Sequence, residues 1–180
     1  MVIQHLSFSQ IEAQINQLTA SPQNQGVLES IVLRLPEERR ATPQAAEVTP
    51  EGGLQGDRWG RAISPNSRAQ ISVINSRFLK IIAGDDERMS LAGDNLVVDL
   101  DLSDENLPTG TQLQIGGAIF EVTDLPHTGC QKFERRYGAD TLKVVNADVY
   151  KSRRLRGLFI QVVRAGKIQV GDSISVLRKM

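Results

Sequence analysis

The sequence is poor in the residues that most often announce chemistry. Its 180 residues include one cysteine, two histidines and one tryptophan. A single thiol cannot close an internal disulfide, so nothing points to an oxidising compartment. A structural zinc needs four ligands, and the second histidine, His5, is remote in sequence from His127 and Cys130, so that metal is not expected. Aromatic residues make up 4%, too few for the stacking surface of an RNA-binding barrel. Basic and acidic side chains balance at 21 each, so the overall basic charge of a nucleic-acid binder is missing. No apolar run approaches the roughly 20 residues of a membrane span. The start, MVIQHLSFSQIEAQ, lacks a basic stretch followed by an apolar core. No signal peptide, membrane partner or nucleic acid is therefore expected, and a cytoplasmic protein is the default. There is no G-x-S-x-G elbow, Walker-type loop or dinucleotide fingerprint.

What is present reads as one domain over residues 1–180. The fold class is mainly β with a few short helices. Phe8, Ile11, Ile15 and Leu18 fall at helical spacing, which predicts a helix over about 7–19 as an extension to a core of about 25–178. Ser7 with Gln10, or Ser9 with Glu12, supplies its capping box. GVLESIVLRLP alternates, placing Val27, Glu29, Ile31, Leu33 and Leu35 on one strand face. Residues 36–67 carry four prolines and several glycines and read as a long loop. RAQISVIN predicts a strand, SRFLKIIAG a helix stopped at Gly84, and DNLVVDLDL another strand. TQLQIGGAIFEVT predicts a hairpin turning at Gly116-Gly117. QKFERRYG predicts one or two helical turns ending at Gly138. RGLFIQVVRAGKIQVGDSISVLRK predicts two strands joined near Ala165-Gly166-Lys167, with a turn at Gly171-Asp172. Many short strands with glycine turns indicate a closed or nearly closed β-barrel.

Chemistry concentrates in DLPHTGCQKFERRYG, residues 124–138. Cys130 alone is compatible with a buried apolar filler, a metal ligand or a reactive thiol. Its loop context, with Pro126, Thr128 and Gly129 before it, favours exposure. Lys132, Arg135 and Arg136, with His127, supply cations that favour a thiolate, the nucleophilic and metal-binding form. Gly129 leaves room for a ligand to approach the backbone. LQGDRWGRA offers Asp57, Arg58, Trp59 and Arg61, and arginine forks grip phosphate. Arg68 and Gln70 follow. Asp94 and Asn95 in LAGDNL suit a turn into a strand. Arg156, in the charged run YKSRRLRG, stands just before a strand and can reach across a barrel mouth.

These segments, in order, resemble the MOSC domain family, named for the C-terminal domain of molybdenum cofactor sulfurases. The matching pieces are LQGDRWG, RAQISVIN, LAGDNL, LPTGTQLQIGGAIFEVT, HTGCQKF and RGLFIQVVRAGKIQVGDSISV, spread over about residues 25–178. The resemblance implies a barrel similar to the small domain of pyruvate kinase. It implies that Cys130 carries sulfur as a persulfide, received from a sulfur donor protein, or ligates the metal of molybdenum cofactor. His127 and Lys132 would tune the thiol. Asp57, Arg58, Arg68, Asn95, Thr128 and Arg156 are the candidates for holding cofactor. The implied activity is sulfur transfer, in metal-sulfur cluster or molybdenum cofactor chemistry, or reduction of N-hydroxylated compounds. Pyridoxal phosphate is not expected, since the aminotransferase-like domain of full-length sulfurases is missing. Three positions depart from the family pattern: Gly129 replaces a proline, Asp94 a glutamate, and Trp59 a histidine. The alternative is a non-catalytic barrel that binds an anionic small molecule or a partner protein, with Cys130 incidental.

Overall fold

The computed structural model describes residues 5–177. In chain order its helices are α1 (Phe8–Gln17), α2 (Ser76–Ala83), α3 (Asp86–Met89), α4 (Gln131–Tyr137) and α5 (Ala139–Asn146). The first seven strands are β1 (Gln25–Ile31), β2 (Leu33–Arg34), β3 (Arg40–Ala41), β4 (Ala45–Thr49), β5 (Gly53–Leu54), β6 (Ile71–Asn75) and β7 (Leu96–Asp99). Then come β8 (Gln112–Ile115), β9 (Ala118–Val122), β10 (Leu158–Arg164), β11 (Gly166–Gln169) and β12 (Ser173–Leu177). Seven strands close a barrel in the order β1-β12-β8-β9-β10-β6-β7. Closure leaves no free edge, and every pairing is antiparallel except β6 with β7. That parallel pair needs a crossover, which α2 and α3 supply.

The period of two along each strand sorts side chains into two cores. Ile71, Val73, Leu96 and Val98 join the barrel interior with Phe120, Ile160 and Ile174. Their neighbours Ile74 and Val97 pack outward under the helices, against Phe78, Phe133 and Tyr137. β6 and β7 are thus apolar on both faces, as buried parallel strands are. The hairpin turn lies at Gly116, whose φ of 52° suits a residue without Cβ. α1 begins with the box formed by Ser7 and Gln10: Gln10 N donates to Ser7 Oγ, and Ser7 N donates to Gln10 Oε1. None of the described helices is long and apolar enough to cross a membrane.

Three expectations are corrected. Val27 is 43% exposed while Leu28 and Ile31 are buried, so the single face predicted for GVLESIVLRLP is wrong. A register shift between Leu28 and Ser30 re-phases the strand, bringing both inside. Residues 36–67 are not one loop, because β3, β4 and β5 lie there. The chain's end carries three strands, not two. β11 leaves the barrel to pair with β4, Gly166 opposite Val48, and this small sheet joins the barrel core through Val48, Leu54 and Ile168.

Candidate functional site

Register builds the site. Ile31 faces Leu96, Leu96 faces Val73, and Val73 faces Leu158. The residues just after β1 and those just before β7 and β10 therefore converge at one place. They include Arg34, the Asp94–Asn95 pair and Arg156.

Two buried ion pairs form its floor. Asp57 is 2% exposed and accepts a two-pronged bond from Arg34, at 3.0 Å from Nε to Oδ1 and 2.6 Å from Nη2 to Oδ2. It also accepts from the backbone N–H groups of Arg34 and Trp59 and from Asn95 Nδ2. Burial alone would raise its pKa, but the Arg34 bond and the other donors hold the carboxyl below the usual aspartate value. Asn95 Oδ1 accepts from Ser72, and the remaining Asn95 N–H reaches Val32 O. The second pair is Asp94 with Arg156, 2.6 Å from Nη1 to Oδ2. Arg156 also donates to Ala92 O and lies over the Phe133 ring at 4.5 Å. Burial raises the pKa of Asp94, and Arg156 opposes that rise.

His127 stacks on Phe159, with ring centroids 4.3 Å apart, and its Nδ1 stands 3.6 Å from Asp94 Oδ1. Burial, then Arg156 and Arg34, push its pKa well below the ordinary histidine value. The imidazole is neutral at pH 7 and is not one of the site's cations, contrary to the sequence expectation.

Above this floor opens a cavity of about 490 Å³ lined by Arg34, Arg40, Arg58, Arg61, Lys132, Arg136 and Arg156, with Cys130 among the lining residues. Gly93 sits beside the Arg136 and Arg40 guanidiniums, and its φ of 84° is the reason for glycine there. Glu38 binds Lys132 at 2.7 Å and Arg136 at 3.0 Å, and these bonds pull its pKa down to about 2. Among the described residues no carboxylate lies within ion-pair distance of Arg40, Arg58 or Arg61. Burial, and then Arg136, Arg58 and Arg34, hold the pKa of Arg40 below the arginine value. Among the described residues the buried Nε atoms of Arg40 and Arg156 have no hydrogen-bond partner. Such a site is short of negative charge.

Cys130 is exposed and precedes α4 without bonding to its backbone through the side chain. Of the other residues singled out in the sequence, Arg58, Thr128, Lys132 and Arg156 line the same cavity. Asp57 and Asn95 lie beneath it as supports. Arg68 is outside it, on the surface with Asp124 at 2.7 Å. Trp59 bonds Asn66 O through its indole N–H, fixing its own loop. Sequence reasoning overlooked Arg34, Arg40 and Glu38. RLPEERR offered only a charge run, which usually means a solvated face. A second cavity, about 500 Å³, lies along the other side of the 124–129 loop. It shares His127, Thr128 and Arg156, but Asp104, Asp124 and Asp148 balance its cations and Cys130 is not among its lining residues.

Gly129 does not open the backbone to a ligand, as its sequence context suggested. A Cβ there would lie 2.5 Å from Leu142 Cδ1 and 2.9 Å from Val145 Cγ2. Its N–H donates to Asn146 Oδ1 at 2.9 Å, tying the loop to α5. A proline would lose that bond. Gly129→Ala is expected to cost about 1 kcal/mol, the low end for overpacking, because the Leu142 tip can turn aside. Urea denaturation checks it.

Solved structures similar to this chain share its fold at low identity. The YuaD protein from Bacillus subtilis matches at 16% identity and TM-score 0.59, covering 87% of this chain and 97% of that one. YiiM from Geobacillus stearothermophilus matches at 18% and 0.58, covering 85% and 75%. YiiM from Escherichia coli matches at 16% and 0.55, covering 86% and 71%. No curated protein sequence matches. The family model described as MOSC domain matches residues 51–175, a stretch running from the Arg58 loop through Cys130 to β12, and the chain belongs to the MOSC domain family.

Proposed function

We propose that this cavity holds molybdenum cofactor, a metal on a phosphorylated pterin, with Cys130 as the protein's ligand to the metal. The observation that supports it most is the shortage of negative charge beside the chain's one thiol. Among the described residues, Arg40, Arg58 and Arg61 line the cavity with no carboxylate within ion-pair distance. A phosphate supplies that charge and brings several acceptors. The donor set also fits a metal that arrives with its own ligands. Among the described residues no three His, Cys, Asp or Glu side chains converge, so the protein offers one thiolate and little else.

In this reading Arg40, Lys132 and Arg136 take the phosphate, and Arg58 and Arg61 add positive charge to the same cavity. Asp57 and Asp94 fix Arg34 and Arg156 in place, so the floor of the cavity is set before a ligand binds. His127, neutral and packed on Phe159, closes the floor without adding charge. Some members of the family use the bound cofactor to reduce N-hydroxylated compounds, and that redox chemistry is what it would supply here.

Exposure of Cys130 supports a second role, as a sulfur carrier. Its thiolate would attack the terminal sulfur of a persulfide on a donor protein and release the donor's thiolate. The new S–S bond leaves Cys130 as the persulfide. One experiment covers both roles. The protein and Cys130→Ser are purified from a host that makes molybdenum cofactor, then analysed for metal and by intact mass. Wild type is expected to carry molybdenum or the mass of one added sulfur, and the variant neither. Retention of both by Cys130→Ser overturns the reading. A Cys130 that labels slowly with thiol reagents favours the non-catalytic anion-binding barrel instead.

A further inference from the structure

The turn that carries Glu38 is unusual. Glu37 and Glu38 both adopt the left-handed backbone, at φ 59° and 57°, without being glycine or asparagine. Nothing in the turn's own sequence favours that geometry, and longer side chains resist it. The side-chain contacts account for it. Glu38, its carboxylate half exposed at the cavity, bridges Lys132 and Arg136, and Arg40 Nη1 donates to the carbonyls of Glu38 and Arg39. Glu37 itself contributes little: its carboxylate is 84% exposed and stands 3.8 Å from Arg39. The same cavity wall therefore carries an internal carboxylate on its cations and a strained hinge behind that carboxylate.

We infer that Glu38 is a specificity-determining residue: an internal counter-anion that the ligand must displace, so that the cavity admits phosphate dianions and refuses monoanions. A carboxylate carries one charge and two oxygens. A monoanion such as acetate or nitrate offers Lys132 and Arg136 no more than Glu38 already does. A phosphate monoester brings about two charges and three acceptor oxygens. It can replace Glu38 on both cations and reach Arg40 as well. Backbone strain at Glu37 and Glu38 is released as the turn swings out, which favours the exchange. The inference rests on the cavity being the anion site proposed above, and it sharpens the chemical class of the anion.

Calorimetric titration of the full chain with inorganic phosphate at pH 8, and with sodium acetate as the monoanion, tests it. Two variants separate the latch from simple charge. Glu38→Gln removes the counter-anion and keeps the side-chain length. Glu37→Asn removes one negative charge but places there a residue that accepts the left-handed backbone, so the latch holds more firmly. If charge alone acted, both variants would bind phosphate more tightly. The latch predicts opposite shifts: phosphate binds about tenfold more tightly to Glu38→Gln and more weakly to Glu37→Asn, relative to wild type. Acetate binds detectably only to Glu38→Gln. Equal or weaker phosphate binding by Glu38→Gln overturns the inference and leaves the anion site standing. Tighter binding by both variants also overturns it. No phosphate binding by any of the three proteins sinks both the inference and the anion site.

Discussion

Asp57→Ala is expected to destabilise the protein by about 3–5 kcal/mol, the cost of removing one partner from a buried ion pair. Asp57 is 2% exposed and Arg34 is 9% exposed. Without the carboxylate, the Arg34 guanidinium keeps its burial and loses its fork. Asn95 Nδ2 and the N–H groups of Arg34 and Trp59 lose an acceptor at the same stroke. These donors come from three separate stretches of chain, so no local shift repairs them. Replacing both members, Asp57→Ala with Arg34→Met, is expected to recover much of the loss, because no charge is then left buried. Urea denaturation of the two singles and the double measures the coupling. A single-mutant loss below about 1 kcal/mol would place the pair in the class of solvated surface bridges.

The same carboxylate sets a pH dependence. Its folded pKa lies below the ordinary value, so the unfolded chain binds the proton more readily. The stabilisation is complete above the unfolded aspartate value of about 4 and is lost as pH falls through the folded one. Asp57→Ala should therefore lose its disadvantage in acid. The gap between wild type and variant narrows below about pH 4.

Asp57 also shows where sequence reading runs out. LQGDRWG reads as a ligand-binding edge, and Arg58 and Arg61 do line the cavity. Asp57 turns the other way, because its partner Arg34 precedes it by 23 residues, with β3, β4 and β5 between them. Features with local causes were legible: the Ser7–Gln10 box, the Gly116 turn, the Gly84 stop and the strands at 71–75 and 96–99. The small sheet of β4 and β11 was not, because it pairs segments more than a hundred residues apart, and prolines at its margins look like loop. The site divides in the same way. Cys130, Lys132, Arg58 and Arg156 stand in short segments rich in charge and glycine. Arg34, Arg40 and Glu38 become pocket residues only when barrel register brings the end of β1 beside β7 and β10. An isolated charge run carries no trace of that placement.

Arg156→Met is expected to cost a further amount of the same order, about 3–5 kcal/mol, and to do so in a pH-dependent way. The methionine fills the volume over Phe133 but leaves Asp94, whose carboxylate has no exposure, without its cation. Among the described residues Asp94 Oδ1 has no hydrogen-bond partner even with Arg156 in place. Burial already raises its pKa, and loss of Arg156 removes the first opposing influence, so the rise is larger in the variant. A raised folded value means that the native state, not the unfolded chain, holds the proton. The variant's stability is then greatest in acid and declines as pH rises from the unfolded value of about 4 through the folded one. Urea denaturation at pH 5 and pH 8 should show a deficit against wild type that grows with pH; its sign matches that of Asp57→Ala, but the change falls above the unfolded aspartate value of about 4, where the Asp57→Ala deficit is already complete. Arg156→Lys keeps a cation but not the fork that reaches both Asp94 and Ala92 O, so it should recover the pH trend more fully than the stability. A deficit for Arg156→Met that stays flat between the two pH values would mean that Asp94 finds another partner once Arg156 is gone. His127 Nδ1, 3.6 Å from Asp94 Oδ1, is the nearest group able to become that partner by taking up a proton. Adding His127→Phe to Arg156→Met would then restore the pH trend and identify it.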